Sequence, residues 1–201
     1  MKRRVSIICL AVLLMLTLSA CGKPTIEDCI SACDREYSKV LDSYGFYYFI
    51  EFDPQDNDTN DKNDDVEYSL HPTVKISGNP TNQQIYNICT DLKSVHVSGA
   101  WLFPSIYVNS DYCTITHQYC LKRGGVYVYS PISGKNYDDL GYSDKKCICD
   151  WIQEQYDRYD KSAGQYTGDR YSDTIFSDAA ELFGLSDSEL KVIWMKKYDY
   201  K

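Results

Sequence analysis

The strongest constraint on this chain is an unbroken apolar run, Val5 to Ala20 ("VSIICLAVLLMLTLSA"), placed directly behind the basic cluster Lys2, Arg3 and Arg4. The run is shorter than the roughly 20 apolar residues that span a bilayer comfortably. A basic start, an apolar middle and small residues before a cut form the layout of an export signal. The folded part must then come from residues 21–201, enough for one domain or one domain with an extension. Losing three basic and no acidic residues takes the net charge from −8 to −11. An acidic surface disfavours nucleic acid, which needs basic patches to neutralise phosphates. It equally disfavours adhesion of the protein surface to anionic lipid.

The run closes on Leu18-Ser19-Ala20-Cys21. This tetrapeptide resembles the lipobox of bacterial lipoprotein precursors, in which a leucine and two small residues precede a cysteine. The resemblance covers only the N-terminal end of the chain. It implies a diacylglyceryl group on the Cys21 sulfur, cleavage before Cys21 by signal peptidase II, and fatty acylation, such as palmitate, of the new amino end. A thiol is the nucleophile that can accept the lipid. Two acyl chains, at roughly 0.8 kcal/mol per buried methylene, hold a protein on a membrane where one does so only marginally. The implied location is the extracytoplasmic face of a cell membrane. Gly22 stands where an Asp would resemble an inner-membrane retention signal, so a cell with two membranes favours the outer one. Only Gly22 to Thr25 separate the anchor from the first helix, a short tether at about 3.3–3.6 Å per extended residue.

Nine cysteines are present. Setting aside Cys9 and Cys21 leaves Cys29, Cys33, Cys89, Cys113, Cys120, Cys147 and Cys149, in a compartment where disulfides persist. Cys29 and Cys33 share a helix face and would not readily bridge each other. Cys147 and Cys149 would share a strand face. The connectivity expected is helix pair to strand pair, with Cys113–Cys120 closing a local loop and Cys89 as the spare thiol. Structural stapling is preferred over thiol-redox chemistry, because the C-x-x-C spacing is absent.

The element pattern reads as α+β, a small antiparallel sheet bracketed by helices and stapled by disulfides. "TIEDCISACDREYSKVLDSYG" predicts a helix capped by Thr25 with Asp28 and stopped at Gly45. Residues 46–52 and 66–77 predict paired strands, interrupted near Pro72. A second helix is expected with Asn79 as cap and Pro80 at its first position. Strands are expected in 96–112, 124–131 and 145–152, with a turn over Lys122 to Gly125. "YCTITHQYC" fits a short helix or a strand. Residues 26–155 thus form the disulfide-linked domain, 156–172 a polar tyrosine-rich loop without Leu, Ile, Val, Phe or Met, and 173–201 a helical hairpin broken at Gly184 and recapped by Ser186 with Glu189.

Candidate sites are few. Asp56, Asp58, Asn60, Asp64 and Glu67 fall at the side-chain ligand offsets of an EF-hand calcium loop, but Asp61 replaces the glycine and the flanks read as strands. A solvated acidic hairpin loop is the preferred reading, and weak calcium binding in another geometry is the alternative. Asp111, Cys113, His117 and Cys120 match no structural zinc spacing. Tyrosines with Asp157, Arg158, Asp169 and Arg170 could contact a sugar or a peptide, against a plain solvated loop. His71 and His96 have no nucleophile at a recognisable spacing, and no phosphate loop, G-x-S-x-G or H-E-x-x-H occurs. The function expected is therefore a lipid-anchored, non-catalytic envelope protein that binds or scaffolds a glycan or protein partner without a cofactor. A surface enzyme and a pilin-like subunit are the alternatives. A rise in melting temperature on adding millimolar calcium is the outcome expected if the acidic stretch binds the ion; an unchanged value removes calcium.

Overall fold

The computed structural model describes residues 24–53, 68–116 and 119–200. The signal segment, Cys21, the stretch from Asp56 to Glu67 and His117 lie outside the described residues. Helix α1 (Ile26–Tyr44) begins as its sequence dictates: the Thr25 hydroxyl accepts from the Asp28 N–H at 3.2 Å, and the Asp28 carboxylate accepts from the Thr25 N–H at 3.0 Å. Such a reciprocal cap stabilises a helix by about 1 kcal/mol. Gly45, at φ 70°, ends it in the left-handed region.

Strand β1 (Tyr47–Phe52) runs antiparallel to β3 (Pro72–Ser77), the pairing the sequence predicts. The segment before Pro72 does not continue that strand. It forms β2 (Tyr68–Leu70), which pairs in parallel with β4 (Ala100–Leu102) in a separate small sheet. β3 then pairs in parallel with β5 (Ser105–Val108), and the crossover between them carries α2 (Asn82–Ser94). α2 starts later than the sequence reading placed it. Thr81, not Asn79, is the cap, because its hydroxyl and the Gln84 side chain answer each other's backbone N–H. "YCTITHQYC" resolves into strands: β6 (Asp111–Thr116) and β7 (Cys120–Arg123) pair antiparallel. β8 (Val126–Tyr129) follows through Gly124 and Gly125, at φ 57° and 84°, the two-residue turn that suits a hairpin. The main sheet is ordered β1-β3-β5-β6-β7-β8, mostly antiparallel.

The expected strand at 145–152 is instead part of α3 (Tyr142–Ala163), which also absorbs the first half of the expected polar loop. Alternating Cys147-Ile148-Cys149 mimics a strand, but Ile148, Trp151, Ile152 and Gln155 continue a helical stripe, and all are buried. Beyond Gln155, stacked rings replace aliphatic packing. Tyr156 lies on Trp194 at 5.6 Å between centroids, and Tyr159 on Tyr171 at 4.2 Å. The C-terminal hairpin of α4 (Ser172–Phe183) and α5 (Asp187–Met195) forms as expected, with Gly184 at φ 68° and a Ser186–Glu189 capping box. No helix among the described residues is long and apolar enough to cross a membrane.

Two cores result, one on each face of the sheet. α1 and α2 cover one face over Val74, Ile76, Ile106, Val108 and Leu121. α3, α4 and α5 cover the other face only near β7 and β8, where Cys120 joins Ile148, Ile152, Phe183 and Leu190. The rest of that second face, with Tyr47, Phe49 and Tyr112, is exposed. Phe183 is fully buried and meets Trp151 edge-on at 5.7 Å. Phe183→Ala should therefore lower unfolding free energy by about 3–5 kcal/mol, read from urea denaturation.

Candidate functional site

The cysteines do not form the expected staples. Among the described residues no two sulfurs lie at bonding distance. Cys29, Cys33, Cys89 and Cys113 belong to the first core, whereas Cys120, Cys147 and Cys149 belong to the second. Clipping the α1 pair to the α3 pair would require passing through the sheet. Cys113 and Cys120 cannot close a loop either. Cys120 sits opposite Thr116, three residues from Cys113, so the two thiols point to opposite faces. The structure instead sets Cys89 on α2 near Cys113 on β6, and Cys147 in hydrogen-bonding contact with Cys120. Cys89, expected as the spare thiol, is thus one of two neighbouring cysteines. Cys29 donates to the Ser98 carbonyl at 3.5 Å, and Cys149 to that of Ile193 at 3.7 Å.

The remaining sequence candidates disperse. His71 stacks on Phe103 at 5.2 Å, and His96 is exposed in the loop after α2. Asp157 accepts from Gln153, Arg170 lies over the Tyr171 ring, and no cluster of metal-ligating side chains forms among the described residues. Of the tyrosine-rich tract, Arg158 lines a concavity.

That concavity is a cleft of about 600 Å³ beside β8, the outermost strand of the main sheet. Its far wall comes from α3, where Trp151, Gln155 and Arg158 recur at helical spacing on one face, and from α4, which adds Asp178 and Glu181. Its near wall is the start of α2, where the Asn82 side-chain amide donates to the Val128 carbonyl at 3.1 Å. The free edge of the sheet is therefore recessed between two helical layers.

The polar groups here are underused. Trp151 is 3 % exposed, and its indole N–H meets no acceptor among the described residues. Gln155, also buried, makes one long bond, 3.5 Å to the Trp151 carbonyl. Arg158, Asp178 and Glu181 are exposed along the rim, and no ion pair is formed by any of them among the described residues. A buried donor without an acceptor costs about 1–3 kcal/mol. The cleft can thus offer hydrogen bonds, a cation and two carboxylates; no thiol or imidazole lines it.

Sequence reading missed Trp151, Gln155, Asp178, Glu181 and Asn82. The first two were findable in "DWIQEQYDR" once that stretch is read as a helix. The acids carry no local signal, being ordinary exposed positions on an amphipathic helix. Comparison with known proteins adds nothing here: no family model matches the chain, and no curated protein or solved structure matches it.

Burial dominates the thiol chemistry. It pushes Cys33 and Cys89 up to about 12 from an ordinary value of 9.0, and Cys149 to about 11. A thiol whose folded value exceeds its unfolded one favours folding only while protonated. That stability is complete below about pH 9 and is lost as pH rises toward the folded values. Chemical denaturation followed from pH 8 to pH 11 should show a steady fall, and alkylation of these thiols should be slow until denaturant is added.

Proposed function

We propose that this protein is a non-catalytic binding module of the bacterial cell envelope, held beside the bilayer by lipid on Cys21, and that its ligand is an extended polypeptide segment received along β8. The recessed edge of β8 carries this reading. An edge strand has a row of backbone groups without a strand neighbour, and an added strand satisfies them. Here one such carbonyl, that of Val128, already takes a side-chain donor from Asn82. The helical walls on either side leave room for one further strand, with side chains of the guest meeting Trp151 and Gln155 or the charged rim.

The rim favours a cationic guest side chain, since two carboxylates outnumber one guanidinium in a chain that is acidic throughout. A glycan fits less well. Sugar rings stack on open aromatic faces, and Trp151 is almost wholly buried, with Phe183 and Tyr127 already against its ring. A catalytic reading finds less support, because His71, His96 and Cys89 do not converge on the cleft.

Two experiments test this. Cys21→Ser should abolish metabolic labelling with a fatty acid and release the protein from membranes; persistent labelling refutes the anchor. In a titration against a library of extended octapeptides with a central lysine, binding should follow, and N-methylation of alternate backbone amides should abolish it. Asp178→Asn combined with Glu181→Gln should weaken lysine peptides about tenfold, the equivalent of roughly 1.4 kcal/mol, and leave alanine counterparts unchanged. Binding of soluble envelope glycans with no peptide binding overturns the peptide reading.

A further inference from the structure

The described chain starts at Pro24, and the position of that proline is fixed. Its ring lies on Gly99, where a Cβ would come within 2.5 Å of the Pro24 Cγ. Gly99 is at φ 81°, a conformation that glycine adopts without strain and other residues rarely do. Cys29, one turn into α1, reinforces the contact through its bond to the Ser98 carbonyl. The chain therefore leaves the fold at the turn that feeds β4.

Cys21 is three residues before Pro24. Successive Cα atoms are 3.8 Å apart, so the Cys21 Cα lies within about 11 Å of that of Pro24. From Gly99, β4 leads outward through Trp101 to Phe103, whose Cα atoms lie within about 8 and 15 Å of it by the same measure. Both rings are open to solvent, at 56 % and 52 % exposure, and His71 stacks on Phe103. Buried Ala100 and half-buried Leu102 occupy the alternate positions, so Trp101 and Phe103 face outward together.

We infer that the Trp101–Phe103 edge of the small β2–β4 sheet is the face this protein lays on the lipid bilayer, with both rings seated at the headgroup level. The inference rests on the anchoring of Cys21 by lipid. Its own support is geometric: a tether this short keeps this exposed aromatic pair within reach of the membrane surface when the acyl chains are inserted. Tryptophan suits that depth, with an apolar ring for the acyl boundary and an N–H for the wet side. The chain as a whole is acidic, so the contact is made through the rings, and neutral lipid serves as well as any.

The test uses protein purified from membranes and reconstituted in phosphatidylcholine vesicles whose acyl chains carry bromine, a quencher of tryptophan fluorescence. Flotation reports the anchor, and quenching reports the face. The expected result is co-flotation with quenched, blue-shifted emission in the native protein and loss of the quenching in Trp101→Phe, since Trp151 is buried and Trp194 is stacked on Tyr156. Trp101 is largely exposed, so this variant should keep the native circular dichroism. Phe103→Ala should leave flotation intact and reduce the Trp101 quenching. Co-flotation with Trp101 unquenched and open to aqueous iodide overturns the inference while the anchor stands. Failure to float overturns the anchor, and this inference with it.

Discussion

Cys120 and Leu121 are consecutive residues of β7, and both are fully buried, in different cores. Strand geometry makes this unavoidable once both faces of β7 are covered, since neighbouring side chains point to opposite sides of a sheet. β7 is where the two helical layers meet across the sheet, and the rest of the molecule is arranged around it. α1 and α2 close one face and α3 to α5 close the other, but the second layer is displaced toward β7 and β8. A β-bulge between Leu121 and Lys122 accompanies the transition.

That displacement explains where the cleft lies. Because α3 and α4 sit over the end of the sheet, they extend beyond its last strand and leave β8 at the bottom of a cleft. Because they do not reach β1, β3 and β5, the tyrosine-rich outer face there remains wet, which accounts for phenol rings, with a hydroxyl each, in place of aliphatic side chains. Lys75 and Glu51 pair on that face at 2.6 Å, as solvated cross-strand neighbours do.

What the sequence made legible were elements whose signal is local. α1 lies between its Thr25 cap and Gly45, α4 stops at Gly184, and α5 starts at its Ser186 cap, each where those residues place it. The β1–β3 pairing followed from apolar runs on either side of a polar stretch. Readings failed where the deciding contact is distant. Tyr156 and Tyr159 look polar until Trp194 and Tyr171 are brought to them, so α3 was cut short. Cys147 and Cys149 alternate like a strand, and only the burial of Trp151, Ile152 and Gln155 reveals the helix. The cysteine scheme failed with it, since parity on β6 and β7 decides which thiols can meet. The cleft was legible at Arg158 alone, because its other walls are assembled from three separate helices and one strand.

Pro24, where the proposed tether joins the fold, and the cleft lie at different sheets, and the separation would have a consequence for a protein held at a surface. Pro24 and Gly99 lie beside β4, which runs directly into β5, while β8 is three strands further across. At about 4.8 Å per strand the edge of β8 is displaced by roughly 14 Å from β5. A bilayer pressed against Trp101 and Phe103 therefore meets the end of the central strands and not the recessed edge, which stays open to a chain approaching from the aqueous side. On the proposed lipid anchoring of Cys21, the short tether would fix orientation as well as location, and would fit a module whose partner also lies close to the membrane, since only three residues separate Cys21 from Pro24.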